Sequence, residues 1–320
     1  LVEEGQAYVD KLRASGVAVS HKNFLQQMHG FFAMPAALPA AGKAMAWLAQ
    51  EMDRHLTPTE RKDVVVVGAG FSGMYQLHKL REQGLNVQVF ERGSDVGGTW
   101  YWNRYPGARV DIESMAYSFS FSDDLQQEWQ WSEKYSPQPE LLKYAQHIAD
   151  RFDLKSEIAF NTSVVSAHFD DDADEWLVTT QCGRRVRAQH LVMATGVLSA
   201  SKTPDIAGRE SYKGSTYTTG LWPKEGVDFT GKRVAVIGTG SSAVQAIPLI
   251  AEEAAEVVIY QRTATFTTPA LNHKLAQDDA NAIKANYSDY RAKQRLNVLG
   301  VVNERSMDRA IDATSEERTR

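Results

Sequence analysis

Cysteine is nearly missing from this chain: Cys182 is the one example in 320 residues. A single thiol closes no intrachain disulfide, no CxxC redox pair and no zinc cluster, so disulfide-oxidoreductase and structural-zinc readings fall away. Basic charge is not in excess either. Thirty-five Lys and Arg stand against 40 Asp and Glu, a net charge of −5, which gives no electrostatic footprint for nucleic acid. No run reaches the ~18 uncharged apolar residues of a spanning helix. The nearest, 31–42, is broken by Pro35 and Pro39 and stops at Lys43. The opening LVEEGQAY has no Met and no basic n-region, so trimming upstream is expected and a secretory signal is not. The expected compartment is a reducing cytoplasm.

What is present is ordinary globular material, 43% apolar and 23% charged, in a length suited to about two domains. Residues 1–60 read as an extension of short helices, with Met45, Leu48, Ala49 and Met52 at the spacing of one helix face. The Phe31-Phe32 pair within it is an apolar patch whose plain role is packing, the alternative being a membrane-touching or partner-binding role.

From Lys62 the character changes. Asp63 to Val67 is a short apolar run of the buried parallel-strand type, and Gly68-Ala69-Gly70-Phe71-Ser72-Gly73 follows at once. Met74, Leu77 and Leu80 mark the apolar face of a helix, Gly84 its stop, and Asn86 to Glu91 the returning strand. A second βαβ unit opens with Lys232 to Ile237, turns through Gly238-Thr239-Gly240-Ser241-Ser242-Ala243, and returns as Val257 to Tyr260, with Pro248 placed to kink its helix. Between the units, 159–169, 176–180 and 185–193 predict an antiparallel meander. A polar helical stretch, 280–296, follows, and Ser315-Glu316-Glu317-Arg318 looks like a further helix start.

GxGxxG meets a specific physical demand. A tight strand-to-helix turn must let a pyrophosphate approach the free N–H groups and partial positive charge of a helix N-terminus. Gly68 and Gly70 suit the turn and the approach, and Gly73 the strand-helix contact. Glu91, 23 residues after Gly68, stands where ribose hydroxyls need an acceptor. In the second unit Gln261-Arg262-Thr263 occupies that position. An acid there would repel a 2′-phosphate, whereas the Arg262 fork would bind one, which favours NADP over NAD. The plain alternative is an exposed arginine at a strand end. Two dinucleotide units in one chain imply hydride passage from a nicotinamide to a flavin. Ala194-Thr195-Gly196 resembles the strand-end turn found near the cofactors of such flavoproteins.

A longer pattern runs from Gly97 to Asp111. Gly97, Gly98, Trp100, Tyr105, Pro106, Gly107 and Asp111 match all seven fixed positions of [A/G]GxWxxxx[F/Y]P[G/M]xxxD, and the stretch resembles the fingerprint of type I Baeyer–Villiger monooxygenases. That family's other fingerprint, FxGxxxHxxxW[P/D], aligns with Tyr212 to Pro223. Gly214, Trp222 and Pro223 agree, Tyr212 replaces Phe, and Thr218 replaces His. An imidazole there would change charge near neutral pH; a threonine does not.

The resemblance covers 61–320 and implies an α/β fold with two Rossmann-like dinucleotide-binding domains, a helical N-terminal extension and a truncated helical insert. Its expected boundaries are 1–60 for the extension, 61–197 for the first part of the FAD domain, 198–270 for the first part of the NADP domain and 271–320 for the helical start. It implies that NADPH reduces FAD and that O₂ then gives a C4a-peroxyflavin, which converts a ketone to an ester or lactone. An N/S-oxygenating flavin-containing monooxygenase relative is the same-class alternative. A chain that binds FAD but is inactive without a complementing C-terminal part is the other. By position, Gly68, Gly70, Phe71, Ser72, Gly73, Glu91, Gly98, Thr99, Trp100, Tyr117 and Val164 are expected at FAD. Gly238, Thr239, Gly240, Ser241, Ser242, Arg262 and Thr263 are expected at NADP. Asp111 is expected beside the flavin, steering a cation, or else as a helix N-cap. No metal is expected. The family's peroxyflavin-stabilising arginine lies further downstream than this chain extends, so the chain is expected to be a fragment or half of a split enzyme.

Overall fold

The computed structural model describes residues 2–24, 27, 31, 38–56, 59–298, 300–302 and 314. The chain folds as two compact units, Leu1–Lys62 with Val165–Gln189, and Asp63–Val164 with His190–Arg320.

The first unit holds helices α1 (Val2–Ala14) and α2 (Pro39–Leu56), the start of β1 (Thr59–Val67), β4 (Val164–Asp170) from its second residue, β5 (Glu175–Thr180) and the first part of β6 (Arg185–Met193). Of the predicted meander, β4, β5 and β6 lie side by side, but its first segment, expected over 159–169, is one strand only from Val164. β5 and β6 pair antiparallel with Val178 opposite Val186, both fully buried. Two charge-assisted bonds of 2.7 Å tie Arg184 to Glu60, and Arg187 reaches Asp170 at 3.0 Å. Cys182 is exposed at the hairpin turn.

Helix α2 corrects one expectation. Met45, Leu48, Ala49 and Met52 are not its buried face; the methionines and Leu48 are exposed, while Ala41 and Ala44 are buried. The alanines share their own helical spacing, and a small-residue face permits closer approach than a methionine face. Phe32 and the Ser315 to Arg318 phrase lie outside the described residues.

The second unit begins with the other half of β1. Val64, Val65 and Val66 are buried, as a strand covered on both faces requires. α3 (Phe71–Glu82), β2 (Val87–Phe90) and the short β3 (Ile158–Ala159) complete a parallel arrangement, with Val64 opposite Val87 and Val89 opposite Ile158. Within this unit β2 lies between β1 and β3. Met74 and Leu77 of α3 join Leu141 and Ile148 of α6 (Gln138–Arg151) in the main core. Two short helices, α4 (Thr99–Trp102) and α5 (Asp123–Glu128), sit in the connection between β2 and α6.

β7 (Arg233–Ile237), α7 (Ser241–Glu253) and β8 (Glu256–Tyr260) form the second βαβ unit, its strands parallel with Val234 opposite Val257. Pro248 lies inside α7 without ending it. Phe229, Ala246 and Ile250 make a small separate core there. The polar stretch 280–296 is two helices, α8 (Gln277–Ala285) and α9 (Tyr287–Leu296). Among the described residues no helix is long and apolar enough to cross a membrane, and no group of His, Cys, Asp and Glu could hold a metal ion.

Candidate functional site

β1 ends at Val67 and the chain turns through Gly68 at φ +105° before α3 begins. This positive φ, and a Cβ position only 2.5 Å from the Ala194 carbonyl oxygen, restrict position 68 to glycine. A Cβ on Gly73 would lie 1.8 Å from the Gly68 carbonyl oxygen. These two glycines are therefore required by the chain's own packing. Gly70 and Gly98 instead leave two backbones face to face, with a Cβ at 98 falling 2.8 Å from the Gly70 Cα. Gly70 caps α3 with no side-chain hydrogen bond, so the first-turn N–H groups lack intrahelical acceptors.

A cleft of about 460 Å³ opens at this elbow. Of the residues named from the sequence, Gly68, Gly70, Phe71, Ser72, Glu91, Gly98, Thr99, Trp100, Tyr117 and Val164 line it. Gly73 lies beneath the turn, buried.

Glu91 is 5% exposed and holds the elbow shut. Its Oε2 accepts the Ala69 N–H at 2.7 Å and its Oε1 the Gly93 N–H at 2.6 Å. The aromatic wall is a Trp100–Tyr117 pair, edge-on at 5.8 Å. The indole Nε1 donates to the Tyr117 hydroxyl at 3.1 Å, Gln138 Nε2 donates to the Trp100 carbonyl, and Phe71 packs on Tyr117 at 5.5 Å. Burial, with a smaller push from the Asp111 charge, raises the Tyr117 phenol above its ordinary pKa.

Asp111 itself lies outside the cleft lining. It is exposed, on a bend and not at a helix start, which removes the N-cap alternative.

At the second elbow Gly238 takes φ +101°, and α7 starts at Ser241 and Ser242. No heavy atom beyond the adjoining residues comes within 4 Å of a Cβ built on Gly240. Thr239 Oγ1 accepts from Gln261 Nε2 at 2.7 Å. Arg262 and Thr263 follow β8 and are exposed.

In the other fingerprint, Trp222 packs on Phe229 and Tyr217 at 6.1 and 5.7 Å, beside the small core. Thr218 precedes a one-turn 3-10 helix and gives it no side-chain cap.

Several contributors to the cleft carry no sequence signal of their own. Arg92 lines it, lies over the Trp102 ring at 4.3 Å and donates to the Ser199 carbonyl at 2.8 Å. Thr162, Ser163 and Ala200 line it too. The Ala194-Thr195-Gly196 turn, a weak signal alone, forms part of the lining.

Residues 61–277 match the family model described as flavin-binding monooxygenase-like. The chain belongs to the flavin-binding monooxygenase-like family. Within that family it is 44% identical over 261 residues to a Baeyer-Villiger monooxygenase of Pseudooceanicola batsensis, covering 81% of this chain and 47% of the relative. It is 41% identical to a phenazine N-monooxygenase of Lysobacter antibioticus, covering 80% and 47%. Among solved structures, an oxidised steroid monooxygenase bound to NADP superposes with a TM-score of 0.77 at 50% identity, over 81% of this chain and 49% of that one. The chain thus spans about half the length of the relatives it matches. Its fold is the α/β fold of those monooxygenases.

Proposed function

We propose that this member of the family carries the FAD- and NADP-binding part of a monooxygenase that uses NADPH and O₂ to turn a ketone into an ester or lactone. The observation that carries the reading is the cleft at the first elbow, with glycine backbone at Gly70 and Gly98 on its floor and the Trp100–Tyr117 pair as its wall. These residues fit a flavin dinucleotide. A Cβ would fall 2.8 Å from backbone at Gly98 and 3.3 Å from it at Gly70, so this stretch of the lining carries no side chains, and the uncapped start of α3 offers N–H groups to a pyrophosphate. Bound FAD would supply the redox and oxygen chemistry.

This chain's residues do the rest. The N–H groups of Phe71, Ser72 and their neighbours bind diphosphate oxygens. Glu91 uses both oxygens to fix the turn, and its remaining lone pairs would accept from ribose hydroxyls. Trp100 and Tyr117 exclude water from one side of the cleft. At the second elbow, Gly240 lets a diphosphate approach the backbone, Thr239, Ser241, Ser242 and Thr263 offer hydroxyls, and Arg262 grips a 2′-phosphate. Asp111, exposed and near enough to raise the Tyr117 pKa, steers a cationic group toward the flavin side. In this reading 61–197 and 198–270 belong to the FAD and NADP domains, 1–60 is an accessory extension and 271–320 begins a helical domain. A complementing segment or chain completes the substrate pocket, and the protein works in the cytoplasm.

N-oxygenation is the second reading, favoured by the phenazine N-monooxygenase relative. The test is a visible spectrum of the purified protein supplied with FAD, before and after anaerobic NADPH, then product analysis with a ketone and with an aromatic amine. A yellow chromophore that bleaches, and an ester product, are expected. A colourless protein that takes up no FAD overturns the reading, and an N-oxide alone selects the second. FAD uptake without NADPH oxidation assigns a chain that needs its complement.

A further inference from the structure

The polar helix α9 buries one of its charges although its composition reads as solvated. Arg291 is 5% exposed, and among the described residues its guanidinium makes no ion pair with a carboxylate. Among the described residues it is held by neutral acceptors. Nε donates to Gln126 Oε1 at 2.9 Å, Nη1 to the Ala116 carbonyl at 3.0 Å and to Gln294 Oε1 at 2.8 Å, and Nη2 to Ser118 Oγ at 2.6 Å. The guanidinium lies over the Tyr287 ring at 4.9 Å, and the Tyr287 hydroxyl donates to the Met115 carbonyl at 3.2 Å. Two residues of one helix therefore hold positions 115, 116 and 118, on both sides of Tyr117.

A buried cation without a counter-charge is costly, and an apolar residue would pack a helix more cheaply. What an apolar residue lacks is a rigid fork of five donors that reaches both flanks of one residue at once. Tyr117 is that residue, and its hydroxyl accepts from Trp100. We infer that Arg291 is a positioning residue for the aromatic wall of the cleft, acting through the 115–118 segment on Tyr117 and Trp100. Its consequence for cofactor binding rests on the flavin reading above; the positioning itself does not.

The test uses Arg291→Met and Arg291→Lys in the full chain, with Ile250→Ala, on the buried face of α7 in the small core, as a destabilised control. The first readout needs no cofactor: the near-ultraviolet circular dichroism that disappears on adding Trp100→Phe in each background. The second is the FAD dissociation constant from flavin fluorescence quenching, taken well below each Tm. Arg291→Met is expected to lose most of the Trp100-dependent band and to weaken FAD binding at least tenfold. Arg291→Lys, which keeps the charge but not the fork, is expected to fall between it and the wild type. A Tm loss like that of Ile250→Ala, with the band and the dissociation constant unchanged, overturns the inference. If the wild type takes up no FAD, the flavin reading fails and the Trp100-dependent band alone decides, its persistence in Arg291→Met refuting the positioning role. If Arg291→Met does not fold, Arg291→Lys decides by the same criteria.

Discussion

The side-chain amide of Gln245 clasps the backbone of Arg109 on both polar groups: Nε2 donates to the Arg109 carbonyl at 3.1 Å, and Oε1 accepts the Arg109 N–H at 3.4 Å. The same Oε1 accepts the Tyr105 hydroxyl at 2.9 Å. Position 107 lies beneath this clasp at φ +75°, and a Cβ there would fall 2.3 Å from the Gln245 backbone oxygen. The Tyr-Pro-Gly of the fingerprint thus has a packing reason of its own: it docks the loop onto α7.

Gly107→Ala is accordingly expected to cost about 3 kcal/mol, combining left-handed backbone strain with a clash against backbone. Gln245→Ala, which removes side-chain hydrogen bonds in a half-buried setting, is expected to cost about 1–2 kcal/mol. Urea denaturation of both variants checks the order. A Gly107→Ala protein as stable as the wild type would show that the contact is loose.

His78 gives the stability a pH dependence. The ring is 8% exposed and sits between Phe121 at 4.4 Å and Phe152 at 5.0 Å. Burial lowers its pKa, against the opposing pull of Glu82. The neutral ring is therefore favoured in the folded state, while the unfolded chain titrates near pH ~6.5. The contribution is complete above that value and is lost as pH falls toward the depressed folded pKa. Between about pH 7.5 and about pH 5.5 the urea midpoint of the wild type is expected to fall further than that of His78→Gln. Equal falls would remove His78 as a cause.

Much of this fold was legible because its signals are local. Asp63 to Val67, the glycine turn and the return strand fall within one stretch of chain, and each strand of the meander shows its own period. The side of α2 that is buried was not legible, because two helical spacings coexist in it and only burial distinguishes Ala41 and Ala44 from Met45 and Met52. Part of the cleft was hidden for another reason. Thr162, Arg92 and Ser199 carry no motif and are brought together by the strands that precede or follow them. The Gln245 clasp joins positions 136 residues apart, and Arg291 lies in a helix whose composition reads as solvated.

Glu91 suits the ribose by its place in the motif, and its geometry adds a structural duty that a test must separate. Both carboxylate oxygens accept backbone N–H groups. Glu91→Gln turns one acceptor into a donor facing a donor, leaving a buried N–H unpaired at about 1–3 kcal/mol. The variant is expected to lose that much stability and to bind FAD more weakly. Glu91→Asp keeps the charge but shortens the reach, and is expected to lose stability as well. Thermal unfolding beside FAD titration separates the effects, and an unchanged Tm in Glu91→Gln would contradict the elbow bonds.

The second elbow allows the cleanest separation of ligand from fold. Gly240 has φ −74°, which any residue adopts, and nothing within 4 Å of a Cβ position beyond its neighbours in the chain. Gly240→Ala is therefore expected to leave the urea midpoint unchanged or slightly raised, since alanine narrows the unfolded ensemble. A loss of NADP⁺ affinity in that variant then reports the backbone's approach to a diphosphate and nothing else. Arg262→Ala, on an exposed side chain, is expected to spare stability too and to weaken NADP⁺ binding roughly tenfold or more, the size of a charge-assisted contact. NAD⁺, without the 2′-phosphate, should lose little. Calorimetric titration of both nucleotides against both variants measures this directly. If Arg262→Ala weakens NAD⁺ and NADP⁺ equally, Arg262 is not reading the 2′-phosphate, and the preference must come from elsewhere in the turn.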